Sequence, residues 1–152
     1  YTNTTRVVTV VRNPYSRIVS VYRQFFERAD VPFIYEDYLF GIFRRDLSFE
    51  KFVETLQLIP DPLKDQHLRP QHTFLKFYEQ ANIPVEVMKL EEPETINTAL
   101  NAVGLTFEPF NVSDAPYDYQ AYYTPHTRDV VFSVYREDFR RFGYARRSSL
   151  SE

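Results

Sequence analysis

Residues 6–23 read Arg6-Val7-Val8-Thr9-Val10-Val11-Arg12-Asn13-Pro14-Tyr15-Ser16-Arg17-Ile18-Val19-Ser20-Val21-Tyr22-Arg23. The run Val7–Val11 is short and β-branched, the pattern of a strand buried on both faces of a parallel sheet. Asn13 can cap a helix, and Pro14 fits its first position, where a missing N–H costs nothing. Beyond Pro14, apolar residues recur at Ile18, Val21, Tyr22, Phe25 and Phe26, which predicts a helical stripe packed on the sheet. Arg17, Ser20 and Gln24 share another face of that helix. The stretch is therefore a strand, a turn and a helix. It gathers two arginines, a hydroxyl and a fresh helix N-terminus, which together suit an anion such as phosphate. Periodicity alone equally describes, and even favours, a surface helix with a proline start and solvated arginines.

The remaining sequence continues the alternation of strands and helices. Residues 29–47 read as an irregular connection, with Pro32, several aromatics and Arg44-Arg45. Ser48 caps a helix with apolar positions Phe49, Phe52, Val53 and Leu56, and Pro60 and Pro62 stop it. A polar loop carrying His67 follows. Thr73–Ala81 reads as helix and Val85–Leu90 as strand. Pro93 opens a further helix that Gly104 closes. A long loop with Pro109 and Pro116 leads to Thr124, a cap, and Pro125, the start of a single helix expected to run through Tyr135 to Gly143. The expected class is α/β, three-layered, with a parallel sheet flanked by helices. Ligands of such sheets lie at the carboxyl ends of strands, where Arg12 is placed. Residues 1–145 read as one domain and 146–152 as a frayed polar tail.

A chain of 152 residues is long enough for a core, and 14 Phe with 12 Tyr argue against disorder. The net charge of −3 argues against a general nucleic-acid binder, so the arginines act locally. No run has the length of a membrane span and no signal peptide is recognisable. There is no cysteine, which excludes disulfides, thiol chemistry and cysteine metal sites. His67, His72 and Asp65 match no standard metal-ligand spacing, so no metal is expected. His126 reads as a surface residue in the first turn of the last helix. Glu91 and Glu92, at the end of the second strand, are not given a catalytic role.

The 12–22 stretch resembles the 3′-phosphate-binding element of the sulfotransferases, Arg-Asp-Pro-x-x-Arg-x-x-Ser-x-Tyr or Trp. Arg12, Pro14, Arg17, Ser20 and Tyr22 match in register, with Asn13 where Asp is usual. Further segments are similar to the carbohydrate-type branch. Asp65-Gln66-His67-Leu68-Arg69-Pro70-Gln71 resembles its His-Trp-x-Pro-Gln segment, and Val85–Glu91 its later strand ending in Glu. Asn111-Val112-Ser113 resembles its Asn-x-Ser loop. Asp138-Phe139-Arg140-Arg141-Phe142-Gly143-Tyr144 resembles its C-terminal ending. The resemblance implies the P-loop NTPase-like sulfotransferase fold and sulfuryl transfer from 3′-phosphoadenosine 5′-phosphosulfate to an acceptor hydroxyl, with a carbohydrate as partner and 3′-phosphoadenosine 5′-phosphate as product. It further implies that Arg12 and Ser20 bind the 3′-phosphate, that Ser113 belongs to the donor site, and that no metal is needed.

The fold's first strand and phosphosulfate loop have no counterpart here, since no Gly-x-x-x-x-Gly-Lys-Ser/Thr occurs and the three glycines stand at 41, 104 and 143. The chain thus reads as the larger C-terminal part of such a domain, inactive by itself, or as a degenerate version without turnover. His67 is the candidate for proton transfer; the alternative is that it only shapes its loop. Two other classes stay open: a non-catalytic adenosine-bisphosphate binding module, and an α/β protein-interaction domain. Absence of cysteine favours a bacterial cytoplasm, with the Golgi lumen as the alternative if the chain belongs to a longer eukaryotic protein.

Overall fold

The computed structural model describes residues 6–108 and 117–146. They divide into two compact units, Tyr1–Asn13 with Gln71–Tyr117, and Pro14–Pro70 with Asp118–Glu152.

The first unit holds strands β1 (Val7–Val11) and β2 (Val85–Lys89), paired in parallel with Val7 opposite Val85 and Val11 opposite Lys89. The ladder extends one step further, where the Leu90 N–H donates to the Val11 carbonyl at 2.8 Å. Arg6 and Glu86 form an ion pair across the strands. The mixed α/β class and the parallel sheet flanked by helices agree with the sequence reading. Burial of both faces of β1 does not: Val8 is 38% and Val10 42% exposed, while Val11 is buried. The described sheet has two strands, and Val87 on β2 is likewise exposed, so the β-branched run reports strand propensity rather than two-sided burial.

Gln71–Leu75 is a 3₁₀ turn that leads into a short α3 (Lys76–Gln80), where the sequence predicted one helix over Thr73–Ala81. Helix α4 (Pro93–Asn101) packs against β2 through the fully buried Ile96. Gly104 follows with φ +75° and lets Leu105 N–H return to the Leu100 carbonyl at 2.9 Å, closing the helix as expected.

The second unit begins with α1 (Pro14–Tyr22), entered at Pro14 as predicted, and continues into a π-helical turn at Arg23–Glu27. The apolar stripe is buried at Ile18, Val21, Phe25 and Phe26, and Val19 joins it. The connection over 29–47 is irregular and contributes Tyr35 and Phe43 to the core. Helix α2 (Phe49–Leu58) starts where the Ser48 hydroxyl accepts from the Lys51 N–H, and Phe52, Val53 and Leu56 are fully buried. Helix α5 (Pro125–Val134) opens with a reciprocal Thr124–Thr127 capping box and packs on α1 and α2.

The predicted terminal helix is in fact two. It breaks at Tyr135 (φ −109°, ψ 22°), and α6 spans Arg136–Phe142. Tyr135 is buried, and its hydroxyl donates to the Leu68 carbonyl at 2.7 Å, an anchor that sets where the axis turns. The new helix suits its own dipole, with Glu137 and Asp138 in the first turn and Arg140 and Arg141 in the last. Gly143 ends it in the left-handed conformation (φ +66°). Arg146 pairs with Asp129 at 2.7 Å and lies over the Phe132 ring, and the rest of the expected tail, 147–152, lies outside the described residues. Aromatic rings hold this unit together: Tyr15 meets Phe139 at 4.8 Å and Tyr123 at 5.2 Å, and Phe26 meets Phe52 at 4.8 Å. Such pairs add roughly 0.5–1.5 kcal/mol each beyond the area they bury.

Candidate functional site

In the first unit, Arg12 stands at the carboxyl end of β1, half-buried. Its backbone is gripped from both sides by one side chain. The Arg12 N–H donates to Gln71 Oε1 at 2.9 Å, and Gln71 Nε2 donates to the Arg12 carbonyl at 2.7 Å. The amide of Gln71 thus replaces the rung a further strand would supply. The Arg12 guanidinium reaches the Tyr117 hydroxyl at 3.3 Å. The next backbone N–H, that of Asn13, donates to Glu91 Oε1 at 2.7 Å. This donor ahead of Pro14 is thus occupied by the Glu91 carboxylate.

In the second unit, Ser20 lies half-buried on α1 rather than in the core. Arg17, on the same face, has a different fate. Its Nη2 donates to the Gln66 carbonyl at 3.1 Å, and its Nη1 is buried with no hydrogen-bond partner. Burial pulls the guanidinium below its ordinary pKa, while Tyr135, Asp138, Asp65 and Tyr35 pull in the opposite direction. Arg17 is therefore a half-buried cation bonded to the His67 loop through one guanidinium nitrogen, with another buried.

That loop is held by its carbonyls. Leu63 accepts from the Tyr38 hydroxyl, Lys64 from the Arg69 guanidinium at 2.9 and 3.1 Å, Gln66 from Arg17, and Leu68 from Tyr135. The Asp65 N–H donates to the Tyr38 hydroxyl at 3.0 Å. Within this frame Asp65 Oδ1 accepts the N–H groups of His67 and Leu68, both at 3.0 Å, and Asp65 Oδ2 lies 3.2 Å from His67 Nδ1. Phe25, carried by the π-helical turn, meets the His67 ring edge-on at 5.0 Å. The imidazole is half-buried and fixed by a carboxylate on one side and a ring on another.

Four functional candidates escape a reading by sequence alone: Gln71, Tyr117, Asp65 and Phe25. A signal existed for Asp65 and Gln71, which open and close the segment around His67, but Gln71's partner Arg12 lies 59 residues away, and Asp65 folds back on His67 and Leu68 in its own loop. Ser113 lies outside the described residues. His126 sits at the surface, 3.4 Å from a Glu54 carboxylate oxygen. Among the described residues, no cluster of three or more His, Asp or Glu side chains could hold a metal, and no helix is long and apolar enough to cross a membrane.

The family model described as "Sulfotransferase family" matches residues 1–145, and the chain belongs to that family. Its reaction is the transfer of a sulfuryl group from a donor to an acceptor. Comparison with curated proteins and with solved structures returns no significant match.

Proposed function

We propose that the donor is 3′-phosphoadenosine 5′-phosphosulfate, that Arg12 and Ser20 bind its 3′-phosphate, and that the acceptor is a carbohydrate hydroxyl. The observation that carries this reading is the two-way clamp of Gln71 on the Arg12 backbone. It fixes the origin of a guanidinium at the carboxyl end of a parallel strand, the edge at which sheets of this class take their ligands. The pairing of Arg12 with Ser20 is supported by their register in the motif, eight residues apart, with Pro14 and Arg17 between them. The carbohydrate rests on the resemblance of the 65–71, 85–91 and 138–144 segments to that branch.

In the proposed reaction the acceptor oxygen forms a bond to sulfur. The sulfur's bond to the bridging oxygen of the 5′-phosphate breaks, and 3′-phosphoadenosine 5′-phosphate departs. The acceptor proton passes to His67. Transfer of this kind depends mostly on positioning and on stabilising charge at the equatorial oxygens, and a placed base contributes about 10²–10⁴ in rate. Arg12 and Ser20 anchor the far end of the donor and take no part in bond-making. Ser113 is a further donor-site candidate on the strength of its loop motif.

Isothermal titration calorimetry with 3′-phosphoadenosine 5′-phosphate tests the assignment. Replacing Arg12 by Ala removes a charged hydrogen bond worth roughly 1.5–3 kcal/mol, a loss of about tenfold to a hundredfold in affinity. Unchanged affinity in a folded Arg12→Ala variant refutes it.

A further inference from the structure

The contacts around Asp65 do more than shape a loop. One carboxylate oxygen takes two backbone N–H groups, which fixes the carboxylate plane, and the other faces His67 Nδ1 at 3.2 Å. A carboxylate accepts hydrogen bonds and donates none, so the proton between the two groups belongs to the ring. A neutral imidazole has one proton to place, and one committed to Nδ1 leaves the lone pair on Nε2. Phe25 lies edge-on against the imidazole at 5.0 Å and is itself buried, and it rides on the π-helical turn Arg23–Glu27 that interrupts the regular course of the first helix. Turns of that type are rare and frequently mark functional positions.

We propose that Asp65 is a positioning residue for sulfuryl transfer, holding His67 in the Nδ1–H tautomer so that Nε2 is the proton acceptor, with Phe25 keeping the ring in that orientation. This rests on the reading of His67 as the base. The groups that face Asp65 come from several elements. Arg17 on α1 supplies the cation, Tyr35 and Tyr38 come from the 29–47 connection, and Tyr135 stands between α5 and α6. The Tyr35 hydroxyl is buried beside Asp65 but outside hydrogen-bonding geometry, and desolvation, ahead of Asp65 itself, pushes its pKa up. Tyr35 thus stays a neutral phenol. Arg17 Nη1 is likewise buried and unpartnered.

The test reads the tautomer directly. Nitrogen-15 chemical shifts of the histidine side chains are recorded on the natural full-length protein above the titration range of imidazole, with His67→Gln assigning the His67 signals. The expected result is a proton on Nδ1 in the wild type. In Asp65→Asn the amide oxygen still accepts the two backbone N–H groups, but the amide nitrogen now faces the ring and donates to it. The proton is then expected on Nε2, with a fall in kcat of about 10²–10⁴. A wild-type proton on Nε2 overturns the proposal without any variant, as does an Asp65→Asn protein whose tautomer and kcat are unchanged. Full activity in His67→Gln instead overturns the base assignment, and the tautomer measurement keeps the two failures apart.

Discussion

Gln71 offers the sharpest test of how the candidate site is built. Its side chain makes two hydrogen bonds to one residue, accepting from the Arg12 N–H at 2.9 Å and donating to the Arg12 carbonyl at 2.7 Å, both partly buried. A net hydrogen bond contributes about 0.5–1.5 kcal/mol, so Gln71→Ala should cost about 1–3 kcal/mol. With a urea m-value of roughly 2 kcal/mol/M, the unfolding midpoint should fall by about 0.5–1.5 M. Gln71→Glu is the more telling variant. It preserves the acceptor for the N–H but puts a carboxylate oxygen where the donor stood, against the Arg12 carbonyl. Repulsion then adds to the lost bond, and the order of stability should be wild type, then Ala, then Glu. Urea melts followed by far-ultraviolet circular dichroism measure the series, with the exposed Gln80→Ala on α3 as the control expected to match wild type. Calorimetry with 3′-phosphoadenosine 5′-phosphate should show affinity falling in the same order, because the strand end that launches the guanidinium is loosened. Gln71→Ala within 0.5 kcal/mol of wild type, or Gln71→Glu at least as stable as Gln71→Ala, would refute the clamp.

Two further perturbations probe the second unit. Tyr135→Phe removes the donor that satisfies the Leu68 carbonyl in a buried setting and should cost about 1–3 kcal/mol in a urea melt; a neutral substitution would mean that this bond does not anchor the helix break. Glu137 is held down from an ordinary 4.5 to about 2, first by its hydrogen bond to Arg140 and then by Arg141. A carboxyl with a depressed folded-state pKa favours the fold above its unfolded pKa, and the advantage fades as pH drops from about 4.5 towards 2. Glu137→Gln should therefore flatten the acid limb of a stability–pH profile in that window, and the difference should shrink in high salt because the pairs are exposed. An acid limb identical in the two proteins would contradict the assignment.

What the sequence reveals and what it hides divide along physical lines. Signals that act within one turn are legible: Pro14 and Pro125 at helix starts, the Ser48 and Thr124 caps, and the left-handed glycines at 104 and 143 all stand where local rules put them. The motif placed Arg12 at a strand end and Ser20 on the following helix. Contacts between distant residues are not legible. The apolar spacing through Val131, Tyr135 and Phe139 is continuous helix by periodicity, and the break comes from a hydroxyl reaching Leu68, 67 residues away. The π-helical turn at 23–27 keeps Phe25 and Phe26 inward, so the hydrophobic stripe betrays no irregularity. Arg17 reads as solvated because charge predicts exposure, but its partner is a backbone carbonyl that composition does not reveal. Beside His67, Asp65 suggests a metal ligand by residue type alone, whereas two residues of separation allow a carboxylate to fold back on its own loop.

The linkage between Tyr135 and Leu68 bears on how the polypeptide comes off the ribosome. Tyr15 on helix α1 meets Phe139 and Tyr123 only after more than a hundred further residues have been made. The loop that presents His67 likewise waits for a hydroxyl that is translated much later. Such long-range closure delays the native arrangement until both partners are made, and leaves a phenylalanine- and tyrosine-rich nascent surface uncovered in the meantime. A nascent chain arrested after Leu68 but before Tyr135 should therefore carry a protease-sensitive 65–71 loop that becomes protected once Tyr135 is available.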